Sequence, residues 1–191
     1  MYAKIFPKDR HNQNVSIYQR TDSFGHILEI DREELNRLRD VWDNGPNFAE
    51  GCKATASSAG EGNPASSVND LNYNTYWSAA AGKASNEWLE IDLGTNRTFN
   101  KTILRQSNSD RITGYKIQYH NGTDWVDAHT GGPMGTKVQI DTFPPVTASK
   151  VRLLVTAVQP ATAAGGETDT CPQINEFDIY LNPQKLSNEG K

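Results

Sequence analysis

The sequence predicts an all-β fold: an antiparallel two-sheet sandwich of jelly-roll type, preceded by a short strand-helix arm. Three observations lead there. From Asn47 onward, apolar residues recur at every second position in short runs broken by Gly, Pro, Asn and Asp, which is the period of a strand with one buried face. One break, Asn121-Gly122, sits inside GYKIQYHNGTDWVDA; this dipeptide tolerates the positive φ angles of a type I′ turn and so marks a hairpin. Finally, 191 residues suffice for one domain with its own core plus an appendage, and crowd two.

The arm spans 1–45. VSIY (Val15 to Tyr18) reads as a short strand. In DREELNRLRDVW, Asp31 is placed as N-cap, Leu35, Leu38, Val41 and Trp42 fall on one helical stripe, and Gly45-Pro46 stops the helix. One strand and one helix cannot enclose a core, so the arm reads as a linker or the end of a preceding domain. The sandwich spans 46–182, with a tail at 183–191. In EWLEIDLG, Leu89, Ile91 and Leu93 point one way and Glu90 and Asp92 the other. KTILRQ, the hairpin, TKVQIDTF, KVRLLVTAV and NEFDIYL bring the total to about eight strands. The longer connections run from Ser57 to Ser67, Ser78 to Glu87 and Gln159 to Pro172; on a rigid scaffold, such loops are where binding residues collect.

A net charge of −4 supplies no polybasic footprint, which argues against nucleic acid and anionic bilayers and leaves neutral or cationic partners. No apolar run approaches the roughly 20 residues of a membrane span, and Met1-Tyr2-Ala3-Lys4 lacks the apolar core of an export signal, compatible with a start inside a longer secreted chain. Cys52 and Cys171 lack CxxC or Cys/His spacing, so zinc is not expected; they are either a disulfide formed in an oxidising compartment or two buried thiols. GxSxG, HExxH and P-loop patterns are missing, and Gly60-Glu61-Gly62 lacks the third glycine of a nucleotide loop, so no enzyme class is indicated.

VNDLNYNTYW (Val68 to Trp77) sets Asp70, Asn72 and Thr75 at the spacing of a turning loop whose oxygens can gather on a hard cation. It is no EF-hand: the sixth position is Thr75 instead of Gly, the twelfth is Ala81 instead of Glu, and flanking helices are not predicted. On the residues alone, a turn held by Asx hydrogen bonds and a cation loop both stand.

ATASS, PASSVNDLNYNTYWS, WLEIDLG, RITGYKIQY, the hairpin Trp125, FPPVTASKVRLLV and INEFDIYL follow one another across the stretch from Asn47 to Asn182. In this order they resemble the discoidin, or coagulation-factor type C, superfamily, and within it the family 32 carbohydrate-binding modules of bacterial glycosidases. The resemblance implies a galactose-binding-domain-like jelly roll with a structural calcium. Its ligands would be the side chains of Asp70, Asn72, Thr75 and Glu176 and the backbone carbonyls of Ser67 and Asn175. It also implies a sugar site in which Arg105, with Asn108 or Asp110, holds ring hydroxyls, Glu61 adds a polar group and Tyr73 a ring face. Trp77 and Tyr76 are expected in the core. Against the family pattern, Ser78 stands where galactose-binding relatives carry His, and SAAAGKASN contains no aromatic residue. Arg105 reads equally as a solvent-facing strand residue paired with Asp110, and His120 as an exposed imidazole without a role. The arm resembles the end of the catalytic barrel in family 29 α-L-fucosidases.

The expectation is a non-catalytic module that keeps a glycoside hydrolase, of fucosidase type, near glycans containing galactose, fucose or N-acetylhexosamine. It would be secreted, periplasmic or cell-surface, and would bind the catalytic domain of its parent chain but neither nucleic acid nor membrane. A spacer, or an adhesion domain of discoidin type, is the alternative.

Overall fold

The computed structural model describes residues 2–5, 17–21, 27–29, 44–106, 111–135, 137–162 and 168–182. It divides into two units, Met1–Asp43 and Asn44–Lys191. The first contains a three-stranded antiparallel sheet of β1 (Tyr2–Ile5), β2 (Ile17–Thr21) and β3 (Ile27–Glu29) in that order. Strand β2 takes up Ile17 and Tyr18 of the predicted strand and continues to Thr21, whereas β1 and β3 are too short to show a period in sequence. The predicted helix from Asp31 to Trp42 lies outside the described residues.

The second unit is built from β4 (Lys53–Ala56), a 3-10 turn at Ala65–Val68, β5 (Trp77–Ser78), β6 (Glu87–Arg105), β7 (Ile112–His120), β8 (Trp125–Gly131), β9 (Val138–Val158), β10 (Ala161–Thr162), β11 (Thr168–Asp169), β12 (Gln173–Ile174) and β13 (Glu176–Tyr180). Two strands organise it. WLEIDLG and KTILRQ, predicted as separate strands, are the two halves of β6; TKVQIDTF and KVRLLVTAV are likewise the halves of β9. The apparent breaks at Gly94 and at Pro144-Pro145 fall inside these strands as irregularities: Gly94 takes φ 74°, and the β6–β9 ladder is interrupted at both places. Register shifts between Asp92 and Arg97 and between Phe99 and Lys101 bend β6 there.

Each half joins a different layer. Glu87–Asp92 lies between β4 and the Lys150–Val155 half of β9, which continues to β7 and β8. Arg97–Arg105 lies beside the Val138–Ala148 half of β9, and its Lys101–Arg105 stretch also pairs with β13. Leu89, Ile91, Ile117, Val151 and Leu153 from the first layer meet Phe99, Leu104, Phe143, Phe177 and Ile179 from the second in a single core. Phe99 and Phe143 pack edge to face at 6.1 Å.

A polar strut crosses between the layers. The Tyr115 hydroxyl on β7 donates to Asp141 on β9, 2.8 and 2.9 Å from its two oxygens, and the Gln139 amide donates to the same carboxylate at 2.8 Å. Burial, followed by the Asp141 hydrogen bond, pushes the Tyr115 hydroxyl far above the ordinary tyrosine range. A Cβ at Gly131 would stand 2.5 Å from the Tyr115 ring. Gly131→Ala is therefore expected to cost about 1–3 kcal/mol of unfolding free energy in urea titrations; a cost below the error of the method would mean the ring has room to move.

The hairpin forms, but its turn is not type I′. His120 pairs with Trp125, so the connection is the four residues Asn121–Asp124, and only Gly122 (φ 105°) has positive φ. Asn121 Oδ1 accepts the Thr123 and Asp124 amides, the local competition by which Asx side chains win over a tight two-residue turn. His120 is bound into this hairpin, accepting the Gly122 amide on Nδ1 and packing edge-on against Trp125.

A candidate ion centre and the surface beside it

Alternation along β13 sends Phe177 and Ile179 into the core and Glu176, Asp178 and Tyr180 to the opposite face, which a half-buried strand would leave in water. All five are buried. Asn47 covers part of that face, its side-chain amide donating to Asp178 Oδ1 at 2.7 Å while its Oδ1 accepts the Ile179 amide. Loop 69–76 lies over another part.

Glu176 is wholly inaccessible, and neither of its carboxylate oxygens makes a full hydrogen bond, the Leu71 amide being the donor that acts on them weakly. Burial first, then the charges of Asp178 and Asp70, push its pKa from 4.5 to about 9; Arg105 and the Leu71 amide offset part of the rise. An orphaned carboxylate of this kind costs several kcal/mol unless a cation or proton neutralises it.

The loop facing it is crowded with oxygen. Thr75 Oγ1 lies 2.8 and 3.1 Å from the Asp70 oxygens and 2.7 Å from the Asn72 carbonyl, three acceptors around one hydroxyl hydrogen. Oxygens that share a cation at about 2.3–2.6 Å approach one another to such distances. Asp70 Oδ1 also takes the Asn72 amide, and Asn72 Oδ1 takes the Asn74 amide at 3.1 Å, so the Asx bonds of the first turn reading are made. Leu71 at φ 63° is a non-glycine residue in the left-handed region, the kind of local strain that binding sites hold.

Ser67 is buried near the end of the 3-10 turn, two residues before Asn69, whose side-chain amide pins the loop to the Ala49 and Cys52 carbonyls. Asn175 was predicted to act through its carbonyl. Its side chain does something the sequence did not disclose: Nδ2 donates to Tyr73 O (3.0 Å) and Thr75 O (2.9 Å), tying the loop to the residue before Glu176. Among the described residues no three His, Cys, Asp or Glu side chains cluster on a metal position. The oxygens of the loop and of Glu176 are of the kind a hard cation takes.

Of the residues expected at a sugar site, Arg105 and Tyr73 come together and Glu61 lies in another loop. Arg105 is not a solvent-facing strand residue: its side chain is 17% exposed, its Nε lies 3.8 Å from Asp178 Oδ2, and its guanidinium stacks 4.8 Å from the Tyr73 ring centroid. That stack occupies one face of Tyr73. Glu61 is exposed on the turn closed by the Gly60–Asn63 bridge, in another loop. Asn108 and Asp110 lie outside the described residues. Trp77 is fully buried, its Nε1 donating to Ser58 O, and Tyr76 is half-buried.

Ser78, at the family's His position, is buried, and a Cβ at Gly60 would stand 2.4 Å from its Oγ. The turn at 60–63 thus sits where a larger side chain would need to go. Beside it is a cluster not foreseen from sequence. Glu87 is buried and accepts the Ser57 and Ser58 hydroxyls at 2.6 and 2.5 Å, and Ser58 Oγ accepts the Ala80 amide, which locks the two long loops together. Serines in a serine-rich loop gave no signal of this. Cys52 and Cys171 are free thiols, each donating to a different carbonyl, Phe48 and Ala80, so the disulfide alternative is not realised.

A two-layer jelly roll whose early loop is tied to its last strand has the galactose-binding-like fold. Comparison makes this specific: the F5/8 type C domain matches residues 53–169, and the chain belongs to that family. No curated protein matches the chain. Among solved structures, the chain is similar to chitosan-binding module 2 of a chitosanase/glucanase from Paenibacillus sp. IK-5, in complex with chitotriose (26% identity, 70% of this chain and 99% of that one, TM-score 0.59). It is also similar to the family 32 carbohydrate-binding module of C. perfringens NanJ in complex with galactose (27% identity, 67% and 92%, TM-score 0.55). A Ruminococcus gnavus GH29 fucosidase shares the fold at 23% identity, with 80% of this chain covering 31% of that one (TM-score 0.61).

Proposed function

We propose that this chain is a non-catalytic glycan-binding module of a glycoside hydrolase, of fucosidase type, held in shape by one calcium ion. The observation that carries the ion is Glu176, a buried carboxylate without a full hydrogen bond, facing a loop in which one Thr75 hydroxyl is shared among three acceptor oxygens. Asp70, Asn72, Thr75 and Glu176, with the Ser67 and Asn175 carbonyls, would hold it. Calcium supplies a positive charge that joins loop 69–76 to β13; it takes part in no reaction.

The glycan role is supported by family membership and by similarity to modules described with chitotriose and with galactose. Glu61, Tyr73, Arg105, Asn108 and Asp110 remain the residues for that contact, with the solvent edge of the Tyr73–Arg105 stack as its described part. The net charge of −4 favours neutral or cationic sugars, and the filled Ser78 position argues against a histidine-based galactose grip. Weak affinity per site would serve by raising the local concentration of the attached enzyme, outside the cytoplasm where glycans are met. Among the described residues the exposed large hydrophobics are Val138 and Ile140, both on β9 and not at loop tips, which speaks against lipid insertion.

Isothermal titration with chitotriose, galactose, fucose and N-acetylglucosamine, backed by a glycan array, tests this. Saturable binding of at least one sugar is expected. A blank result throughout would favour the second reading, a spacer, which the absence of aromatic residues from Ser78 to Asn86 already recommends.

A further inference from the structure

Arg105 ends β6 directly opposite Glu176, with Asp178 on the same face two residues further along β13. The guanidinium is held from two sides. Its Nε lies 3.8 Å from Asp178 Oδ2, and the Tyr73 ring, from within the ion loop, stacks on it at 4.8 Å. Asp178 itself is 6% exposed, and its other oxygen is taken by Asn47. With both partners largely out of water, their charges act on their surroundings with little solvent screening.

Among the described residues, the charged side chains that act on Glu176 are Asp178, Asp70 and Arg105. Counting them with Glu176 itself gives three carboxylates and one guanidinium, an excess of two negative charges. We infer that Arg105 is the built-in counter-cation of this centre: by neutralising Asp178 it leaves Asp70 and Glu176 as the uncompensated pair, a charge that one divalent ion completes. This rests on the ion reading above and adds to it a residue that sets affinity without touching the ion. Arg105 is then a positioning and charge-setting residue, whatever its outer edge offers to a sugar.

The opposite signs of two effects make the inference testable. If Arg105 only braces the loop, removing it loosens the site and weakens calcium binding. If it sets the charge, Arg105→Gln leaves Asp178 uncompensated and makes the pocket more negative, so the calcium Kd falls by about tenfold while the metal-free protein melts at a lower temperature. Arg105→Lys keeps the charge and is expected to stay within about threefold of the wild type. The double variant Arg105→Gln with Asp178→Asn removes both halves of the pair, returns the affinity to the wild-type value, and replaces the single variant should that one fail to fold.

Calcium titration calorimetry of the chelator-stripped protein reads all of these. Tighter binding in the single variant, reversed in the double, supports the inference. Equal or weaker binding in the single variant, or a double variant that departs from wild type by tenfold, overturns it. A wild type that gives no calcium heat while its melt is unchanged by chelator overturns the ion reading, and this inference with it.

Discussion

Chelating calcium from the protein at neutral pH is expected to lower its thermal midpoint by about 5–15 °C, the consequence of withdrawing a ligand that binds only the folded state at about a hundredfold above its Kd. The pH dependence should change sign along with it. In the metal-free protein, Glu176 holds its proton up to about pH 9, whereas in the unfolded chain it ionises near 4.5. Between those values the unfolded state binds fewer protons, so raising the pH favours unfolding. The stabilising contribution is complete below 4.5 and is lost as the pH rises through about 9. Calcium competes with that proton, so the metal-loaded protein should not lose stability over the same window. Glu176→Gln separates the two effects, because it removes the ionisation that destabilises the stripped protein above neutral pH while abolishing the calcium response. A stripped protein whose melting temperature is flat or rises from about pH 5 to pH 8 would show that Glu176 is not the orphan described here.

Trp77→Ala is expected to cost about 3–5 kcal/mol in denaturant titrations, the largest effect of any single truncation proposed. The side chain is fully buried, and its Nε1 bond to Ser58 would be lost together with its volume. The loss should spread to the ion centre. Trp77 pairs with Ile174 in the short β5–β12 ladder, and Ile174 immediately precedes Asn175 and Glu176. A calcium Kd raised several-fold is therefore expected alongside the stability loss. Trp77→Phe, which keeps most of the volume, should recover the larger share of both. If Trp77→Ala costs less than about 1 kcal/mol, the tryptophan is not the keystone of that end of the sandwich.

Much of the fold was legible because strand period and core face coincide. Leu89, Ile91 and Leu93 alternate with Glu90 and Asp92, and the inner face of β6 follows directly. What could not be read were features set by distant contacts. Gly94 and Pro144-Pro145 look like breaks and do interrupt the ladder, yet β6 and β9 run on past them because the two strands pair again on the far side. The alternation of NEFDIYL would by itself leave Glu176 and Asp178 in water; Asn47 and loop 69–76, the latter bound to Asn175 from 100 residues away, bury that face. The same distance effect hid the stacking of Arg105 on Tyr73 and the closure of Gly60 over Ser78. Asp70, Asn72 and Thr75 were legible as a set because their mutual contacts are local, which is where spacing arguments hold.

The claim beneath these expectations is that an early loop and the final strand share one divalent ion. Titrating calcium into the stripped wild-type protein and into Glu176→Gln tests it most directly. One calcium bound per chain in the wild type and none in the variant is the predicted result; equal binding by the two proteins, or none by either, would contradict it.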